Sequence, residues 1–123
     1  MSARAALVLA ALLMAAAVGA GAFGAHALRT RVDAAALATW STAVQYHAWH
    51  ALGLLAVGLY MQHAPDRAGV PLAGWLFVAG IVLFSGSLYA LALGAPRAVG
   101  SITPLGGVAF LAGWIVLAWA ASR

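Results

Sequence analysis

Hydrophobic runs of membrane-crossing length alternate with short polar breaks along this chain, and the breaks define its elements. Residues 5–26 are apolar apart from His26 at the end. At about 1.5 Å per residue, such a run crosses a hydrocarbon core of about 30 Å. This predicts a first helix over about 5–27. Residues 28–33 (LRTRVD) are the first polar connection. Residues 34–41 read as an Ala-rich surface lead-in, helical by propensity, with Trp40 at headgroup level and Asp33 placed to cap it. A second helix follows over 42–62, then the turn-rich loop 63–70 (HAPDRAGV). Pro71 suits the first turn of a third helix because it has no N–H to leave unpaired, and that helix runs over 72–93. After the loop GAPRAVG, Thr103 and Pro104 open a fourth helix that ends near 121. Short connections make consecutive helices antiparallel neighbours. The expected fold is all-α: a compact antiparallel four-helix transmembrane bundle, one domain over 1–123.

Small residues recur at intervals of seven: Ala10, Ala17 and Gly24 on the first helix, Ala73, Gly80, Ser87 and Gly94 on the third, Gly106, Gly113 and Ala120 on the fourth. Such rows let helices approach closely with a left-handed crossing. Gly19, Gly21 and Gly24 also spell G-x-G-x-x-G. A dinucleotide fingerprint needs a strand before it and a helix after it, and here the glycines lie inside one apolar helix. A cleaved leader competes for the first run, with Ala25-His26-Ala27 as an A-x-A-like site. The run continues through 19–24 without a polar c-region, so the first helix is expected to stay in the mature protein.

Composition agrees with a bilayer as solvent. The chain is 66% hydrophobic and 7% charged over 123 residues, whereas soluble domains average roughly 25% charged. A soluble fold this short could not hide so much apolar surface. The formal charge of +4 comes from six Arg and two Asp, scattered between apolar runs where they can anchor helix ends rather than form a nucleic-acid patch. Arg4, Arg67 and Arg123 fall on one side, Arg29, Arg31 and Arg97 on the other. That is a tie, which the free amino terminus tips towards cytoplasmic termini. There is no Cys, which removes disulfides, thiolate metal sites and Cys nucleophiles.

The intramembrane polar residues converge on the side of the first and third connections. At about 100° per residue, Thr39, Thr42, Tyr46, His50 and Gly53 form one stripe of the second helix, with His47 displaced by about 60°. Ser85 and Tyr89 share a face of the third helix, and Ser87 points nearly opposite. The candidate cluster is His26, Tyr46, His50, Ser85, Tyr89 and Thr103. It reads either as a ligand pocket or as a hydrogen-bonding network tying helices together. His50 is expected to be buried against another helix, with Ser85, Tyr89 or Thr103 as partner. Bis-His haem ligation needs ligands on facing helices at matching depth, which His26, His47 and His50 do not offer. A metal site lacks carboxylate or thiolate support, a Ser–His–Asp hydrolase lacks an acid at depth, and a proton carrier would have only His. No enzyme activity and no cofactor are expected.

The segments GAFGAH at 21–26, Tyr46 with His50 in QYHAWHAL, LFSGSLY at 83–89 and TPLGGVAFLAGW at 103–114 resemble the small uncharacterised bacterial inner-membrane family typified by YgdD. The resemblance covers nearly the whole chain. It implies four transmembrane helices in the plasma membrane, an uncleaved first helix, basic tails and no known activity. His47 falls outside the pattern expected of relatives. Two function classes follow. One is a structural or accessory protein that packs against membrane lipids, itself or a larger membrane complex. The other is a binder or carrier of a lipid headgroup, quinone or proton through the His50 pocket. A small-residue ridge facing lipid favours the first, and a cavity lined by His50 the second.

Overall fold

Each helix begins where the sequence supplies a cap or a break. The computed structural model describes the whole chain, Met1–Arg123. Ser2 Oγ accepts the Ala5 N–H at 3.1 Å and opens α1, Ala3–Ala25. Asp33 Oδ1 accepts the Ala36 N–H at 2.8 Å and opens α2, Ala34–His63, satisfying one of the orphan donors of a helix start. Gly69, with φ 91°, makes the left-handed turn into α3, Val70–Ala92, a conformation that favours glycine. Pro104 lies in the first turn of α4, Thr103–Ala121. Short 3₁₀ turns, Leu28–Thr30 and Arg97–Ser101, occupy the two remaining connections. No strand is present.

Helices α1, α3 and α4 are long and apolar enough to cross a membrane. Helix α2 is the longest, about 45 Å at the standard rise, but its first half carries Gln45, Tyr46, His47 and His50. The lead-in and the second span form one uninterrupted helix, because nothing between 34 and 62 breaks it before Gly53. Thr39 and Thr42 return their hydroxyls to the carbonyls of Ala35 and Ala38, each at 3.1 Å. These self-satisfied bonds remove both threonines from the polar stripe. Trp40 is buried, packed with Leu28 and Ala92.

Helix α2 packs against α1 on one side and α3 on the other, and α3 packs on α4. The largest apolar cluster joins Val57 of α2, Phe77 and Ile81 of α3, and Phe110 of α4. A second joins Ala6 and Ala10 of α1 to Leu54. The small-residue rows are buried at Ala10, Ala17 and Gly24, at Ala73, Gly80 and Ser87, and at Gly106, Gly113 and Ala120. Gly94 is the exception: it is exposed, and with φ 97° it forms the turn after α3. Leu28 packs with Trp40 and Ala92, so the first and third connections share one end. Gly69 lies against Trp119, so the second connection and the carboxy terminus share the other.

Helix α3 widens to a π-helical turn at Ile81–Ser85. Around this turn α3 and α4 approach closely through glycines on both helices. A Cβ on Gly106 would run into the backbone and Cβ of Phe84, and one on Gly80 would run into the Phe110 ring. Only 27 of 123 residues are buried, and the outside carries large apolar side chains from every helix, among them Leu12, Leu52, Val82 and Ile115. A surface of this kind matches lipid rather than water.

Candidate functional site

Helix α2 presents His47 and His50 to different neighbours. They are equally buried, at 6% exposed for His47 and 5% for His50, so their bonds and not their depth distinguish them. On the α4 side, the His50 ring lies on Phe110, with centroids 3.4 Å apart and planes 12° from parallel. Its Nδ1 is 2.7 Å from the Tyr46 carbonyl, one turn back on α2. Its Nε2 accepts the indole N–H of Trp114 at 3.1 Å. Indole only donates, so Nε2 holds the lone pair and Nδ1–H donates to Tyr46. Both nitrogens are engaged, and the imidazole is a strut between α2 and α4.

On the other side, His47 Nδ1 is 3.0 Å from the Tyr89 hydroxyl of α3. Its Nε2 is buried without a well-formed hydrogen bond, and the Leu13 backbone of α1 is the polar group beside the ring. Tyr89 packs on the Trp40 ring at 4.6 Å, and Trp40 donates its indole N–H to the Ala20 carbonyl of α1 at 2.8 Å. This chain of contacts exists because residue 24 is glycine. A Cβ there would stand 2.6 Å from Trp40 Cδ1, closer than side-chain packing allows. Gly24 of the G-x-G-x-x-G thus seats an indole, whereas Gly19 of the same motif has open space where its Cβ would be.

The hydroxyls complete the pattern. Ser85, at the end of the π turn and fully buried, donates to the Ala43 carbonyl of α2 at 2.8 Å. Ser87 donates to the Phe84 carbonyl at 2.9 Å and is 2.6 Å from Thr103 Oγ1. The single Ser87 proton is used on Phe84, so Thr103 donates to Ser87 and ties α4 to α3.

The six candidate residues therefore do not form one cluster. Tyr46 and His50 lie together against Phe110. Ser85, Tyr89 and Thr103 bond Ala43, His47 and Ser87 in turn, and none of them bonds His50. His26 caps α1 in an exposed position and joins no strut. The expectation for the partner of His50 is corrected: it is Trp114, whose apolar ring hid a donor. His47, displaced from the stripe by its angle and left out of the candidate cluster because it falls outside the pattern expected of relatives, is buried, because α1 and α3 flank that face of α2. Ser87 was legible as a member of the buried row Ala73–Gly80–Ser87 but not as a hydrogen-bonding residue.

Beside His50 a groove of about 540 Å³ lies between α2 and α4. Tyr46, His50, Phe84, Phe110 and Trp114 line it together with Pro104, Gly107, Val108 and Leu111. No charged side chain lines it. The Tyr46 hydroxyl makes no hydrogen bond within the protein. No three His or Asp side chains converge in a way that could hold a metal ion.

Comparison with known proteins places this arrangement in a family. A family model described as "Protein of unknown function (DUF423)" matches residues 20–107, the stretch that contains Trp40, His47, His50, Ser85, Ser87, Tyr89 and Thr103. The UPF0382 membrane protein YwdK of Bacillus subtilis is 49% identical over 98 residues, covering 80% of each chain. The UPF0382 membrane protein SSP2132 of Staphylococcus saprophyticus is 48% identical over 92 residues, 75% of each chain. A UPF0382 membrane protein of Haemophilus influenzae is 43% identical over 94 residues, 76% of this chain and 74% of that protein. No solved structure matches. With three helices able to cross a membrane and relatives of this kind, the chain is a multi-pass bacterial membrane protein, and it belongs to the DUF423 family of proteins of unknown function.

Proposed function

We propose that the protein is a four-helix integral membrane protein, of the kind typified by YgdD, in which α2 is the fourth span. In this reading it is a non-enzymatic structural or accessory component of the plasma membrane or of a larger membrane complex. The outward face of α2 supports a spanning role: Trp49, Leu52, Leu55 and Leu59 are exposed, while His47 and His50 turn inward. Low hydropathy in α2 then reflects what it shows its neighbours, not what it shows lipid. One observation carries the accessory role. Both nitrogens of His50, the residue best placed for chemistry, are engaged in bonds that hold helices together, as polar residues in membrane helices do.

Helix α1 supplies a surface for lateral association. Ala11, Ala15 and Gly19 are exposed, spaced by four, and Gly19 has open space before it. Small residues at this spacing allow close approach of a second helix. A cysteine at Ala15 in the otherwise Cys-free chain tests this. Oxidative cross-linking in native membranes is expected to give a discrete dimer or a discrete heterologous adduct, with none from a cysteine at Val82. Monomer alone at Ala15 would remove the accessory reading.

The groove favours a second reading, a binder or carrier of a small ligand such as a lipid headgroup, quinone or proton. Its basis is the aromatic lining beside His50 and the unpartnered Tyr46 hydroxyl. Native mass spectrometry of protein extracted from its own membrane tests this reading by the presence or absence of a retained small molecule.

A further inference from the structure

We propose that the groove between α2 and α4 binds the carbonyl-bearing ring of a membrane-dissolved quinone. The inference rests on the second reading above and names its ligand. The location comes first. From Pro104 to Trp114 the α4 wall runs ten residues, about 15 Å along the helix, half of a hydrocarbon core of about 30 Å. Its outer rim is Val108 and Leu111, both exposed and apolar. An occupant therefore enters sideways from one leaflet and is itself soluble in lipid.

The lining then selects among lipid-soluble molecules. His50 and Phe110 are buried and stacked on one another, so the aromatic surface that the groove offers an occupant is that of the half-buried Tyr46 and the exposed Trp114. A planar ring packs on such a surface, whereas a bare acyl chain gains nothing specific from it. The polar chemistry is a single donor. His50 and Trp114 are already engaged with each other, which leaves the Tyr46 hydroxyl free to donate to an acceptor. A phosphate headgroup would call for a cation, and the groove has none. A flat ring carrying a carbonyl acceptor and an apolar tail meets each condition. The volume of about 540 Å³ lies within the range of small-molecule sites.

The test uses the full chain in nanodiscs, titrated with a short-tailed 1,4-benzoquinone and a short-tailed 1,4-naphthoquinone, with bound quinone counted by mass spectrometry after removal of free ligand. Gly107→Leu fills the groove from α4, and the fold has room for it, since a Cβ at Gly107 meets only the far edge of Phe84 at 3.9 Å. Saturable binding is expected for at least one quinone, lost in Gly107→Leu, weakened roughly 5–10-fold in Tyr46→Phe as one hydrogen bond is removed, and unchanged in Leu12→Val on α1. Binding that is absent, non-saturable or equal in Gly107→Leu overturns the proposal. A different molecule retained by the wild type and displaced by Gly107→Leu, with no quinone bound, overturns the quinone while leaving the second reading standing. No retained molecule of any kind removes both.

Discussion

The two sides of α2 carry the same side chain at the same burial and use it differently. On the α4 side, His50 is stacked on Phe110 and bonded through both nitrogens. On the α1 and α3 side, His47 makes one bond, to Tyr89, and its Nε2 lacks a well-formed hydrogen bond. In lipid there is no water to complete an unfinished bond. The completed side is therefore expected to hold the helices, and the incomplete side to contribute mainly shape, through Trp40 seated on Gly24.

The strongest way to break the completed side is to move its floor. Gly80→Ala would drive a Cβ into Phe110, the ring on which His50 lies. A cost of about 3 kcal/mol is expected, at the upper end for overpacking, read as a large fall in apparent Tm in detergent. Gly24→Ala tests the other side through its shape. Trp40 must retreat, and its bond to Ala20 is lost, so about 2 kcal/mol is expected in the same assay. Recovery of stability on adding Trp40→Phe would tie the loss to the indole contact.

Deleting side chains sharpens the comparison. His50→Leu leaves the Trp114 N–H without an acceptor and is expected to cost roughly 1–2 kcal/mol. His47→Leu leaves the Tyr89 hydroxyl unpaired but also removes the poorly bonded Nε2, so less than about 1 kcal/mol is expected. Tyr89→Phe alone should cost more than His47→Leu, because it leaves neither His47 nitrogen with a well-formed hydrogen bond. The double variant should lie closer to wild type than Tyr89→Phe, a coupling that a double-mutant cycle measures directly. Equal shifts for His50→Leu and His47→Leu would remove the distinction between the two sides.

What the sequence made legible was periodicity. The buried rows on α1, α3 and α4 could be read from intervals of seven, because close packing in a membrane requires small side chains there. Asp33 could be read as a cap because only a short acceptor at that position serves the first turn. What stayed hidden were properties of pairs. Trp114 reads as apolar until a neighbour uses its N–H. The inward turn of Trp40 depends on the space left by Gly24, sixteen positions earlier and on another helix. The π turn at Ile81–Ser85 alters the constant angular step on which the facing of Ser85, Ser87 and Tyr89 was judged. The partners of the polar residues stayed hidden because angle and depth on one helix do not choose a mate on another.

The central claim is that α2 crosses the membrane with apolar side chains outward and polar ones engaged within. The chain has no Cys, so single cysteines at Ala35, Leu52 and Gln62, all exposed positions on α2, report its path directly when treated with a membrane-impermeant maleimide in right-side-out and inverted vesicles. The account predicts that the Ala35 and Gln62 cysteines react from opposite sides and that the Leu52 cysteine reacts from neither until the membrane is dissolved. Labelling of Ala35 and Gln62 from the same side, or of Leu52 from water, would contradict it.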